Sequence, residues 1–128
     1  MDEKKLKSVP LFASLPKQDR RRIAQVADEI DADAGEELVR EGRFAYEFIV
    51  IQEGQAEVTR DGQRVAQLGP GDFLGEIAAL ERGTRTATVV TTSPASLIVM
   101  TARDLRRLAD SIPALGDSIH ATAQERRP

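Results

Sequence analysis

The 128 residues hold 18 Lys plus Arg against 21 Asp plus Glu, a formal net charge of -3 with a pI near 5.2. That length suits one core burying about two thirds of the unfolded surface, and the acidic balance argues against a chain built mainly to coat nucleic acid. Cysteine is absent, which excludes a disulfide framework, a thiolate nucleophile and a cysteine-ligated metal, and the single histidine, His120, cannot make a metal site alone.

At the N-terminus, MDEKKLKSV lacks the apolar centre of a secretory signal. No apolar run reaches the roughly 18 residues of a membrane span, so a cytoplasmic protein is expected. Residues 1–28 are expected to be helical: Pro16 sits where a first turn should start, ahead of Ile23, Val26, Ala27 and Ile30 at helical spacing. The Arg20 to Arg22 run is expected on the wet side of that helix. From about residue 29 to 100, short runs such as EFIVIQ, QAEVTR and QRVAQL alternate with turn residues, and read as consecutive hairpins with Asp61-Gly62 the clearest turn. Breaks at Gly69-Pro70-Gly71 and Ser93-Pro94 divide the rest. The expected fold is mainly β with flanking α-helices: an eight-stranded antiparallel jelly-roll β-barrel with an N-terminal helix and two C-terminal helices. Thr101 can cap a helix carrying Leu105, Leu108 and Ile112, and Pro113 starts another with Leu115, Ile119 and Ala123 on one side. These last helices, about 101–126, follow the barrel, with Arg103, Arg106 and Arg107 as an exposed face. Residues 1–128 contain no repeat or linker that would separate a second domain.

Chemistry concentrates between residues 73 and 90, FLGEIAALERGTRTATVV. Gly71 and Gly75 let the chain turn tightly and deliver Glu76 to a short apolar turn, Ile77 to Leu80, whose free N–H groups attract anions. Arg85 opens the strand-like run RTATVV with a guanidinium able to grip phosphate through two parallel hydrogen bonds. Glu76 is an acceptor only, so its natural partner on the same ligand is a hydroxyl. Taken alone, Glu76 and Arg85 could equally pair with each other and staple the turn to the strand.

Phe73, Gly75, Glu76, Ile77 and Ala78, followed after a spacer by Arg85, Thr86, Ala87, Thr88 and Val89, resemble the phosphate-binding cassette of the cyclic nucleotide-binding domain. That module is shared by the catabolite activator protein, the regulatory regions of protein kinases A and G, and cyclic-nucleotide-gated channels. The likeness runs from about Val9 to Ile119, because LGPGDFLGE, AGEELVREG and GQAEV fall in the family's order. The resemblance implies that Glu76 holds the ribose 2'-hydroxyl, that Arg85 pairs with the cyclic phosphate, and that N–H groups around Ile77, Ala78 and Ala87 complete the cradle. Phe73, Leu74 and Val65 are then candidate pocket residues, and Leu115 and Ile119 candidate lid residues covering the base. Thr86 admits cyclic GMP as well as cyclic AMP, of which cyclic AMP is favoured. The family pattern often supplies an aromatic lid, and the C-terminal segment here has none, so base discrimination is expected to be small.

The expected function is therefore a regulatory sensor that takes a cyclic nucleotide, needs no cofactor or metal, performs no covalent step and signals to an unidentified protein partner. A DNA-binding regulator would require a helix-turn-helix beyond Pro128, and direct nucleic-acid binding is not expected. A metal enzyme of the cupin type would require several histidines in the strands. Two alternatives remain: an interaction module with the same fold and no ligand, and a DNA-binding regulator trimmed of its helix-turn-helix. The stripe from Leu115 to Ala123 suits packing on the chain's own barrel, with pairing into a homodimer as the second option.

Overall fold

The computed structural model describes residues 1–43, 46–75, 85 and 87–126. Helical turns come first. The Asp2 carboxylate accepts the Lys4 N–H at 2.9 Å and caps a 3-10 turn over Glu3–Ser8. A single turn, α1 (Pro10–Ala13), begins on proline, and α2 (Lys17–Val26) follows with Pro16 as its N-cap residue. On α2, Ile23 and Ala24 are buried and Val26 is partly exposed. Ile30, expected to continue the helical stripe, instead lies exposed in the first strand, because the helix has already ended at Val26.

Arg20 corrects a second expectation. It shares a helix face with Ile23, Ala24 and Ala27 and is 8% exposed, while Arg21 and Arg22 are in water. Its guanidinium donates to the Leu15 carbonyl and faces Glu3 across 3.4 Å, so the buried charge is matched on the same face.

Eight strands occur among the described residues: β1 (Asp28–Ala32), β2 (Glu37–Val39), β3 (Glu47–Glu53), β4 (Ala56–Arg60), β5 (Gln63–Leu68), β6 (Phe73–Leu74), β7 (Thr88–Thr91) and β8 (Ala95–Thr101). They form two antiparallel four-stranded sheets, ordered β1-β8-β3-β6 and β2-β7-β4-β5. Each sheet keeps two edges, so the described strands make two sheets and not one closed barrel. The series of hairpins is also revised, since only β4 and β5 are consecutive strands that pair. Asp61 (φ 53°) and Gly62 (φ 78°) turn that hairpin as Asp-Gly should. Gly54 sends the chain from β3 to the other sheet. Its φ is 95°, and a Cβ there would stand 2.5 Å from the Pro94 carbonyl oxygen.

The first sheet is buried on both faces, which is why β3 and β8 read as nearly continuous apolar runs. Ile49, Ile51, Leu74, Leu97 and Val99 join Val39, Ala56, Leu68 and Val89 of the second sheet in an inner core. Their neighbours Phe48, Val50, Phe73, Ile98 and Met100 face the other way and pack with the helices, with the Phe48 and Phe73 rings 5.4 Å apart.

Two helices close that outer core. Thr101 caps α3 (Ala102–Ser111) by accepting the Asp104 N–H at 3.1 Å, and α4 (Pro113–Arg126) starts on proline. Leu105, Leu108, Ile112, Leu115 and Ile119 are buried among Leu6, Val9, Phe12 and Leu15. The apolar stripe of α4 is thus packed on its own chain.

Gly116 sets how closely α3 and α4 approach, because a Cβ there would come within 2.6 Å of the Ala109 carbonyl oxygen. Gly116→Ala should gain about 1 kcal/mol of helix propensity and still lose about 1–3 kcal/mol net through overpacking, read by urea unfolding. A variant more stable than the parent would mean that the two helices separate without cost.

Candidate functional site

The turn that precedes the site is held at several points. Asp72 accepts the Gly69 N–H at 2.8 Å through its carboxylate and donates its own N–H to the Gly69 carbonyl at 3.0 Å. Gly71 donates to Ile51 O at 2.8 Å and Ile51 donates to Asp72 O at 2.9 Å, which fixes the turn against β3. The chain then adds β6, opposite Ile49 and Val50, and reaches Gly75 with φ at 86°. A left-handed backbone at this point favours glycine.

Arg85 meets that glycine. Its backbone N–H donates to Arg43 O at 2.7 Å, and its carbonyl accepts the Gly42 N–H at 2.9 Å, so it is tied to the turn after β2. Thr88 reinforces the junction by accepting the Glu41 N–H on its hydroxyl at 3.0 Å. The Arg85 side chain is 8% exposed, and its Nη2 donates to the Glu47 carbonyl at 2.6 Å. A Cβ on Gly75 would collide with Nη1 of Arg85 and stand 3.0 Å from the Glu47 oxygen. Glycine is therefore required here twice, by the backbone angle and by the guanidinium lying against it.

Arg85 borders an open cleft of about 450 Å³, shared with Glu37, Leu38, Val39, Arg40, Arg43, Tyr46 and Glu47. Arg40 is bound to Glu37 at 2.8 Å, and that hydrogen bond, then the Glu37 charge, raises its pKa further above the ordinary arginine value. The described walls thus carry three guanidinium groups and two carboxylates. Such a cleft suits an anion of nucleotide size, with Arg85 buried at its wall.

Of the residues singled out from sequence, the structure brings Gly75 and Arg85 together. Ala87 is half-buried just before β7. Glu76, Ile77, Ala78 and Thr86 lie outside the described residues. Phe73 and Leu74 are core residues of β6, one on each side of the first sheet. Val65 is 51% exposed on β5, an edge strand, and is absent from the described cleft lining. Leu115 and Ile119 are fully buried in the helix-side core and do not cover the cleft. Their place follows from α4 packing on the helix side of the first sheet. His120 is exposed, and no group of three metal-ligating side chains occurs among the described residues. No described helix is long and apolar enough to cross a membrane.

Sequence reasoning passed over Arg40, Arg43 and Tyr46. The signal for Arg40 and Arg43 was the REGR turn after β2, where Gly42 has φ at 83°, but only pairing with Arg85 carries that turn to the cleft.

Residues 29–111 match the family model described as the cyclic nucleotide-binding domain. The chain is 36% identical over 88 residues to a cAMP-dependent protein kinase regulatory subunit of Schizosaccharomyces pombe, covering 68% of this chain and 21% of that protein. It is 32% identical over 120 residues to a cyclic nucleotide-gated potassium channel of Rhizobium etli, covering 94% of this chain and 34% of the channel. The chain thus spans between a fifth and just over a third of the length of these relatives. The regulatory subunit of a cAMP-independent protein kinase A from Trypanosoma brucei has the same fold, with TM-score 0.86, 20% identity, and 94% of this chain and 44% of that one covered. The chain belongs to the cyclic nucleotide-binding domain family.

The contact between Gly75 and Arg85 can be isolated with a glycine of similar angle in open space. Gly35 has φ at 82° and no atom within 4 Å of an added Cβ. Gly35→Ala should lose roughly 1–2 kcal/mol from the backbone alone, and Gly75→Ala about 1 kcal/mol or more beyond that, by urea unfolding. Equal losses would show that the guanidinium moves aside freely.

Proposed function

We propose that this member of the family binds a cyclic nucleotide, cyclic AMP in preference to cyclic GMP, and works as a regulatory switch. The observation that carries the reading is the buried Arg85 guanidinium, pressed on the Gly75 backbone at the wall of an anion-sized cleft. Arg85 pairs with the ring phosphate, and Glu76 accepts from the ribose 2'-hydroxyl, since a carboxylate needs a donor there. Backbone N–H groups of Ile77, Ala78 and Ala87 complete the cradle, with Gly75 giving the approach. The Thr86 hydroxyl touches phosphate, or the guanine amino group when cyclic GMP is bound.

Support for cyclic nucleotides comes from the family itself and from relatives named for cyclic AMP and for cyclic-nucleotide gating. Switching has a physical route. The Glu47 carbonyl that holds Arg85 belongs to a residue paired with Thr101, the cap of α3, and Ala102 donates to the neighbouring Tyr46 carbonyl at 2.7 Å. A phosphate that draws on Arg85 competes with a bond beside the start of the C-terminal helices. The effector that receives the signal is a protein segment or partner outside the domain, as the larger size of the relatives suggests.

The Trypanosoma brucei neighbour, described as cAMP-independent, favours a second reading in which the fold serves interaction without this ligand. Titration calorimetry with cyclic AMP, cyclic GMP and linear AMP separates the two. Under the first reading both cyclic compounds bind, and ligand at 100 times its Kd adds about 2.7 kcal/mol of stability. Arg85→Ala should lose about 2–5 kcal/mol of binding, roughly 30- to several-thousand-fold, and Glu76→Ala less. Parent-like binding by Arg85→Ala would remove the phosphate role, and tighter binding of linear AMP would redirect the assignment.

A further inference from the structure

The cleft holds a second guanidinium that the cassette does not include. Arg43 sits in the turn after β2, and its carbonyl accepts the Arg85 N–H at 2.7 Å, so the two residues are fixed side by side through the backbone. Both line the same cleft. Their environments differ: Arg85 is buried and bonded to the Glu47 carbonyl, whereas the Arg43 side chain is exposed and has no hydrogen-bond or ion-pair partner among the described residues. Arg40, the third arginine of the wall, is already held by Glu37 at 2.8 Å. An arginine left in water next to a buried one raises the positive potential at the cleft mouth and can swing onto an anion seated against its neighbour.

We propose that Arg43 is a positioning residue for the ligand's phosphate: it draws the anion toward Arg85 and closes on the phosphate face that Arg85 leaves open to solvent. The inference rests on the reading of the cleft as a cyclic nucleotide site. Arg43 acts from water, so its effect is small and screened by salt, while the effect of Arg85, out of water, persists in salt.

The test titrates the full chain and its Arg43→Gln and Arg43→Glu variants with cyclic AMP and with cyclic GMP at about 0.1 M and about 1 M salt, where the Debye length falls from about 10 Å to about 3 Å. At the lower salt, Arg43→Gln should bind about two- to fivefold more weakly than the parent, and Arg43→Glu more weakly still. Both gaps should shrink at the higher salt, with melting temperatures unchanged because the backbone bonds of residue 43 survive substitution. Arg85→Gln should stay weak at both salts. If the parent binds and both Arg43 variants match it at low salt, the inference falls while the cleft reading stands. A loss that persists at high salt together with a lowered melting temperature would put Arg43 in the scaffold and also overturn it. A parent that binds neither nucleotide overturns the reading, and the inference with it.

Discussion

The structure around the cleft depends on one contact, the Arg85 guanidinium set against the Gly75 backbone while donating to the Glu47 carbonyl at 2.6 Å. Three segments far apart in sequence meet there: the start of β3, the residue after β6, and the approach to β7. A buried guanidinium without acceptors costs several kcal/mol, so the Glu47 carbonyl keeps it in place. Because Gly75 has no side chain, that charge can sit at the cleft wall instead of being pushed into solvent. The backbone bonds of Arg85 to Gly42 and Arg43 then hold the turn after β2 beside it.

The two-sided burial of the first sheet explains why the site lies where it does. One face of β3 and β8 meets the second sheet and the other meets the helices, so neither face is free to form a pocket. The cleft forms instead at the end of β2, between strand ends and turns. The same packing limits what the C-terminal helices can do. Leu115 and Ile119 are fully buried, and withdrawing both to cover a base would cost about 3–6 kcal/mol of transfer free energy. A micromolar ligand releases about 8 kcal/mol in total, so such a lid would consume much of its binding energy.

What could be read from the sequence was local chemistry. Asp61-Gly62, Thr101 and Pro113 each act through their own backbone, and each appears as the turn, cap or helix start that its type dictates. Gly75 and Arg85 were singled out because glycine suits a tight turn and a guanidinium suits an anion, and the structure brings the two into contact. Arg20 was misplaced because its charge outweighed its helix position, where it shares a face with Ile23 and Ala24. The hairpin series failed for another reason. Gly54 marks a turn, but nothing local says whether the next strand returns to the same sheet or crosses to the other one. Arg43 and Tyr46 were invisible as cleft residues because their partner in space is more than three dozen positions away.

A ligand can shift a conformation only through a difference in affinity between two arrangements. In the arrangement described, Nη2 of Arg85 is bonded to the Glu47 carbonyl, so an anion that took up that donor would compete with this bond. A phosphate would add a charge–charge attraction to the guanidinium that the neutral Glu47 carbonyl does not supply, which gives such a difference its sign. The Glu47 carbonyl lies at the first residue of β3, opposite Thr101, and the adjoining Tyr46 carbonyl holds the Ala102 N–H. Tyr46 itself is 74% exposed, so little side-chain packing resists movement of that corner. The first turn of α3 is thus the part of the helical layer most directly linked to the Arg85 bond, while Leu115 and Ile119 lie deeper in the core.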